Sequence, residues 1–526
     1  MGSALQKKLD AAVQHHRQNE LAEAERLYRQ VLAKDRGHPG ASHLLGALLL
    51  QQGRNADAVA LIRDAIARAP DHPLLAANLG EAYRRIGDRA NAIANLGRAV
   101  ALQPTLAEAH HNLGLALHTA SRLEDAAASY RRAIALRPGM LPSLTMLARA
   151  LRTLEQVDES LAAWARALEV DGTCAEAHDG MGGVLLDQGR IDDAIASFRR
   201  AVELRPQDPV AHGHLVYTLG LRPGESSSSI VAEATCWRER HAHVPRGPRP
   251  YANDRDPKRR LRVGYLSPDF RNHSHSLFLL PLFEHHDRRQ VEVCAYSLVQ
   301  RPDEFTERTR ALVDRFRDAS TLDDAVLVEA IRADGIDVLV DVTMHLAGNR
   351  LVALSDKPAP VQVIWLAYPG TTGLDAIDYR ITDPYLDPPD VDSGANHTEQ
   401  PIRLPETFWC YAPLTDEPKV GPLPAHEGGR ITFGSLNNFN RTNAEVFALW
   451  SSVLRAVDGS RMILFAWPGE ARRRARDAFE RGGIDPDRLE FVGFQPRGDY
   501  LRVYHRIDVC LDTVPHSGGT TSLDAF

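Results

Sequence analysis

A spacing of 34 residues governs the first half of this chain. Small side chains recur at Ala12, Gly46, Gly80, Gly114, Ala148 and Gly182, and a second series, Ala24, Ala58, Ala92, Ala126, Ser160 and Ala194, keeps the same step. Pro70, Pro104, Pro138 and Pro206 close the units. Two helices crossing closely within one unit need small residues where they touch, and proline ends a helix because its ring clashes with the preceding turn. The pattern predicts a helix-turn-helix repeated about six times between Ala4 and Gln207, with DPVAHGHLVYTLGL opening a partial seventh. A single unit cannot bury its apolar face, so the units must stack.

Period, small positions and terminal prolines together resemble the tetratricopeptide repeat. The resemblance implies an α superhelix over residues 4–218, with a concave groove for protein or peptide acceptors. Asn78 and Asn112 occupy equivalent positions in adjacent repeats, with Met146 and Gly180 next in the series. An amide at such a position either pairs with a bound peptide backbone or is a solvated polar residue; the spacing alone permits both.

At 526 residues the chain has room for three or four domains of roughly 150 residues each. A net charge of -7, with 44% apolar and 25% charged residues, describes a soluble protein without the basic field that collects nucleic acid. The opening MGSALQKKLDAAVQHHRQ has no apolar core of signal-peptide type, and the rest of the chain has no run of about 18 apolar residues. The expectation is a cytoplasmic protein with neither nucleic-acid nor membrane partners. Cys174, Cys236, Cys294, Cys410 and Cys510 are dispersed and show no C-x-x-C spacing, favouring neither disulfides nor a zinc site.

Residues 219–260 break the period and collect proline, serine and charge, which reads as a linker; SIVAEATCWRERHA forms one helix within it. Beyond it the periodicity changes. LRVGYLS, VEVCAYSL, IDVLVDVT, VQVIWLAYP and YRITDP are short apolar strands separated by helical stretches such as LFLLPLFEHH and LDDAVLVEAIRADG. Nearly continuous apolar strands alternating with helices argue for a parallel sheet covered on both faces. PLTDEPKVGPLPAHEGG interrupts the series, which resumes with RITFGSLNN, RMILFAW, RLEFVGF and IDVCLDTVP. The reading is two Rossmann-like lobes, 261–410 and 430–526, joined by a linker at 411–429.

Ligands of open parallel sheets sit beyond the carboxyl ends of the strands, and the polar clusters fall there: HSHS, MHLAGNR, PGTTG, NNFNR and HSGGTTS. Neither G-x-G-x-x-G nor a P-loop occurs at these ends, so another phosphate holder is required. Gly518 and Gly519 let a ligand approach the backbone, and Thr520 and Thr521 place hydroxyls and amides at the start of a helix, where negative charge is favoured. The same run also reads as an ordinary helix cap. Arg441 and Arg497 supply fixed positive charge for a diphosphate. Asp524 either accepts a ribose hydroxyl or stabilises the first helical turn. His273, taken alone, is a surface histidine as readily as a functional one.

Together LRVGYLSPDFRNHSHS, HLAGNR, PAPVQVIWLAYPGTTGLDAIDYRITD, FGSLNNFNR and DVCLDTVPHSGGTTSLDAF resemble the catalytic region of protein O-GlcNAc transferases of bacterial form. The resemblance implies a GT-B fold that moves N-acetylglucosamine from a UDP-sugar co-substrate to serine or threonine of proteins, with inversion and no metal or other cofactor. Cationic side chains and helix amides then stabilise the leaving group. By this resemblance His273 is the active-site histidine and Arg441 replaces the diphosphate-binding lysine. Asn438 lies on the uracil or ribose side, Arg497 on the base side, Thr520 and Thr521 at the phosphates and Asp524 at the ribose. Gly370 and Thr371 belong to the loop lining the sugar pocket. Tyr500 stands where a histidine is common. The changes at Arg441 and Tyr500 keep two alternatives in view: fucose transfer from GDP-fucose, as in Spindly-type relatives, or a repeat-based scaffold with an inactive second half. The family also continues beyond Asp524, so the expectation is a chain whose second lobe is incomplete and poorly stable.

Overall fold

The computed structural model describes residues 2–243, 250–390, 396–414 and 418–526. Residues 244–249 of the predicted region 219–260, and 415–417 of the predicted linker 411–429, lie outside the described residues. The chain divides into two compact units, 1–180 and 181–526.

The first unit is a stack of helical hairpins: Gly2–Arg17 with Leu21–Lys34, Pro39–Gln51 with Asn55–Arg68, Pro73–Arg85 with Arg89–Leu102, Ala107–Thr119 with Leu123–Leu136, and Leu141–Thr153 with Val157–Val170. The 34-residue rhythm has a steric cause. A Cβ on Gly46 would lie 2.7 Å from Ile62, one on Gly80 2.5 Å from Leu96 and one on Gly114 2.5 Å from Tyr130, so only glycine lets the paired helices close to this distance. Ala24, Ala58, Ala92 and Ala126, on the opposing helices, are fully buried. Pro39 and Pro73 occupy first-turn positions where no amide is missed, and His38 and His72 cap the same helices by accepting the amides of Ala41 and Leu75.

The second unit begins with helices and continues into two parallel sheets. The helices Pro209–Leu219 and Ser227–His241 lead in, the latter inside the region read as a linker. That helix is packed onto the first sheet: Ala234 and Trp237 are buried in one core with Leu266, Leu339 and Leu374. The first sheet comprises β1 (Leu261–Ser267), β2 (Val291–Ser297), β3 (Arg315–Asp318), β4 (Val338–Asp341), β5 (Val361–Ile364), β6 (Tyr379–Thr382) and β7 (Gln400–Arg403), in the order β3-β2-β1-β4-β5-β6-β7. The second comprises β8 (Thr432–Ser435), β9 (Arg461–Phe465), β10 (Leu489–Val492) and β11 (Val509–Cys510), in the order β10-β9-β8-β11. Every pairing is parallel. Central strands such as β1 and β4 are buried on both faces because helices cover each side. β3 and β7 were not expected. They are the two edges of their sheet, RFRD and QPIR, half exposed and without an apolar run.

Candidate functional site

Parallel strands bring their carboxyl ends to one side, and the loops that leave β1, β4 and β5 face those that leave β8 and β11 across a cleft of about 400 Å³. Ser274, His275, Met344, Tyr368 and Gly370 line it from the first sheet; Asn438, Arg441, His516, Thr520 and Thr521 line it from the second.

The loop after β1 is built around Asp269. Its amide donates to Ser267 Oγ at 2.9 Å, and its carboxylate lies 3.3 Å from His275 Nδ1 and 3.7 Å from His273 Nδ1. Burial alone would raise the Asp269 carboxyl, but the close approach of His275 and the charges of His273, His275 and Arg271 outweigh it and hold it below its usual value. His273 meets His275 edge to face at 4.6 Å. Burial, helped by His275, lowers His273 to about 4, so it is a neutral imidazole near pH 7 and an acceptor in principle for a proton. His275, which sequence reasoning passed over, lines the cleft, whereas His273 is not among its lining residues.

After β4, Asp341 is buried and accepts the Met344 amide at 2.7 Å; the left-handed backbone at Met344, φ 50°, brings that amide round. Burial pushes Asp341 up to about 7. After β5, Gly370 lines the cleft while Thr371 turns inward, 1% exposed, donating to Glu399 at 2.8 Å. Glu399 also accepts the Thr372 amide at 2.7 Å, which fixes the loop from beneath.

Across the cleft, Asn437 anchors the second side: its amide nitrogen donates to Asp512 at 2.7 Å and to Thr513 at 3.0 Å, and its oxygen accepts from Thr521. Asn438 caps the short turn Phe439–Arg441 through the Asn440 amide. Arg441 donates to the Ser517 carbonyl at 2.6 Å while its Nε has no partner among the described residues. Burial lowers its pKa yet leaves it a cation. The glycine pair has separate reasons. A Cβ on Gly518 would fall 2.6 Å from the side chains of Asn437, Thr521 and Ser522, and one on Gly519 3.2 Å from Trp409, whose ring forms part of the wall. The Gly518 amide is occupied, donating to Asp512 at 2.7 Å. At the start of the helix Thr520–Ala525 the Ser522 and Leu523 amides donate to the Gly519 carbonyl at 3.2 and 3.1 Å, which leaves the Thr520 and Thr521 amides without an acceptor within the helix.

Arg497, Tyr500 and Asp524 form a cluster of their own. Arg497 makes a two-pronged ion pair with Asp524, one contact at 2.7 Å, and donates to Tyr411 at 3.0 Å; Tyr411 also donates to Asp524. Tyr500 lies under Arg497, 5.6 Å from its guanidinium carbon, and shares a 2.8 Å hydrogen bond with Tyr504. Asp524 is thus engaged by protein groups. In the first unit, Asn78 donates to the His43 carbonyl at 3.1 Å, and Asn112 is half-buried on Ala107–Thr119. Among the described residues, two groups bring metal-ligand atoms within 4.8 Å of one another: Asp269, His273 and His275, and His212, Glu233 and Cys236. Of the sequence's D-x-D triplets, Asp254 and Asp485 each accept the amide two residues on, from Asp256 and Asp487, and none of these four lines the cleft.

Helical hairpins followed by two parallel α/β sheets, with a polar cleft at the strand ends, define a repeat protein joined to a two-sheet α/β region. Comparison with known proteins agrees. Tetratricopeptide repeat descriptions match residues 15–82, 80–121, 107–139 and 145–209, and the description "Glycosyl transferase family 41" matches residues 211–412 and 423–526. The solved structure of a mutant O-GlcNAc transferase from Thermobaculum terrenum is 35% identical, with a TM-score of 0.66, covering 86% of this chain and 80% of that one. The probable UDP-N-acetylglucosamine–peptide N-acetylglucosaminyltransferase SPINDLY of Petunia hybrida is 38% identical over 52% of this chain and 30% of its own length. The UDP-N-acetylglucosamine–peptide N-acetylglucosaminyltransferase of Caenorhabditis elegans is 36% identical over 28% of this chain and 13% of its own length. The matches thus span under a third of the length of these curated relatives. The chain belongs to glycosyl transferase family 41.

Proposed function

We propose that the chain transfers N-acetylglucosamine from UDP-N-acetylglucosamine to serine or threonine hydroxyls of proteins, inverting the anomeric centre without a metal. The observation that carries this is the placement of Arg441: a cation in the cleft wall that Thr520 and Thr521 also line, with a buried Nε that has no partner among the described residues. A diphosphate leaving there meets a fixed guanidinium and the Thr520 and Thr521 amides at the helix start, which stabilise charge as it develops and need no reorganisation. On this reading the acceptor hydroxyl meets the opposite wall, where His275 lines the cleft with Asp269 and His273 beside it. The repeats present protein segments, with Asn78 and Asn112 as contacts. No described helix is long and apolar enough to cross a membrane, and free thiols at all five cysteines suit the reducing cytoplasm.

The test is transfer of label from UDP-N-acetylglucosamine to protein acceptors in the presence of EDTA. Incorporation that survives chelation supports the reading. Label arriving only from GDP-fucose would replace the donor, and no incorporation from either nucleotide sugar would favour the repeat scaffold.

A further inference from the structure

The hairpin that leads into the sheets gathers three donors of different chemistry at one point. His212 lies in the first turn of Pro209–Leu219 and is fully buried. Glu233 and Cys236 stand on Ser227–His241 at a three-residue spacing that puts them on one face of that helix. His212 Nε2 is 2.8 Å from Glu233 Oε1, and the ligand atoms of all three residues, Cys236 Sγ included, lie within 4.8 Å of one another. The Cys236 thiol is free. Glu233 and Cys236 are partly exposed, so solvent reaches the point where the three converge.

Two further contacts hold the donors in place. On the far side of its ring, His212 Nδ1 meets His241 Nε2 at 3.0 Å, which fixes the plane of the imidazole as the second nitrogen of a metal-bound histidine is ordinarily fixed. Trp237, next to Cys236, donates to the Pro209 carbonyl at 2.8 Å and ties one helix to the other. Imidazole nitrogen, carboxylate oxygen and thiolate sulfur are the mixed set that zinc accepts, at about 2.0–2.3 Å and in tetrahedral array, with water in a fourth position. Two such ligands about 2.1 Å from the ion stand about 3.4 Å apart, so entry of the ion spreads His212 and Glu233 by about half an ångström, a movement that the partly exposed glutamate can make. We propose that His212, Glu233 and Cys236 form a zinc site that clamps the two helices of this hairpin. None of the three lines the cleft, so the ion stands apart from donor binding. No C-x-x-C spacing marks the site, because its imidazole comes from a second helix 21 residues before Glu233.

The experiment strips the full chain with EDTA, dialyses it, and titrates it with zinc chloride by calorimetry and with cobalt(II), whose thiolate-to-metal charge-transfer band reports a sulfur ligand. The parent chain is expected to take up a single zinc with Kd below about 10 μM, weaker than closed four-ligand sites, and to show the cobalt band. UDP affinity is expected to be the same with and without zinc. Cys236→Ser keeps the size of the side chain, and Glu233→Gln keeps its shape and its capacity to pair with His212. Each is expected to weaken zinc at least about tenfold, and Cys236→Ser to abolish the cobalt band. Circular dichroism should show zinc raising the thermal midpoint of the parent chain and of neither variant. No zinc uptake by the parent chain, or equal affinity in all three chains, would overturn the proposal and leave His212 and Glu233 as a plain hydrogen-bonded pair. Zinc that persists in Cys236→Ser and is lost from His275→Asn would overturn it too, by placing the ion on Asp269, His273 and His275.

Discussion

Arg441 donates to the carbonyl of Ser517 at 2.6 Å, tying the loop after β8 to the loop after β11. One guanidinium therefore closes the second side of the cleft, and in the proposed function its remaining N–H groups meet the diphosphate. Lysine keeps the charge but gathers its three donors on one nitrogen, without the planar fork that spans a carbonyl on one side and an anion on the other. Arg441→Lys is expected to weaken UDP about tenfold with little change in thermal stability, as read by calorimetry and by unfolding monitored with circular dichroism.

Gly518 has no room for a side chain, because a Cβ would lie 2.6 Å from Asn437, Thr521 and Ser522. Gly518→Ala must displace the Asn437 amide that holds Asp512 and Thr513, and with it the Thr521 hydroxyl. The expected cost is about 1–3 kcal/mol of stability, the range for overpacking, with a larger proportional loss in UDP affinity. Denaturant unfolding beside UDP titration measures both.

His273 carries a pH signature. Its folded value of about 4 lies below the ordinary 6.5 because burial penalises the cation. Below pH 6.5 the unfolded chain takes up a proton that the folded chain declines, so this residue's contribution is intact above about 6.5 and is lost as pH falls towards 4. Asp341, raised to about 7, acts in the opposite sense, since the folded chain binds that proton first. A difference curve isolates one group from the other: stability of His273→Asn measured against the parent chain should fall less steeply between pH 6.5 and 4. Parallel curves would show that His273 titrates normally.

Trp237 bears on where the second unit begins. It is 1% exposed, donates to the Pro209 carbonyl at 2.8 Å and packs against His241 and His345 with centroids 5.3 and 5.1 Å away. Trp237→Ala is expected to cost about 3–5 kcal/mol of stability, the range for a large buried aromatic. A loss under about 1 kcal/mol would mean that the helix Ser227–His241 is only loosely attached.

How far each feature could be read from the sequence depends on the range of the interactions that define it. The repeats were legible because each glycine or alanine answers to a helix partner a fixed number of residues away, as Gly80 does to Leu96. The central strands were legible because burial on both faces demands unbroken apolar runs. β3 and β7 were not, since edge strands have one exposed side and their polar composition is that of a loop. Among site residues, Arg441, Thr520 and Gly370 stood out through loop position alone and do line the cleft. The inward turn of Thr371 depends on Glu399, 28 residues on, and the engagement of Asp524 depends on Arg497 and Tyr411. No local pattern records such pairings.

The central claim is that the cleft holds a nucleoside diphosphate through Arg441 and needs no metal. Calorimetric titration of UDP in the presence of EDTA, into the parent chain and into Arg441→Ala, tests it most directly. The account predicts saturable binding to the parent chain and at least about a tenfold weakening in the variant. Equal affinities, or binding that appears only when magnesium is restored, would contradict it.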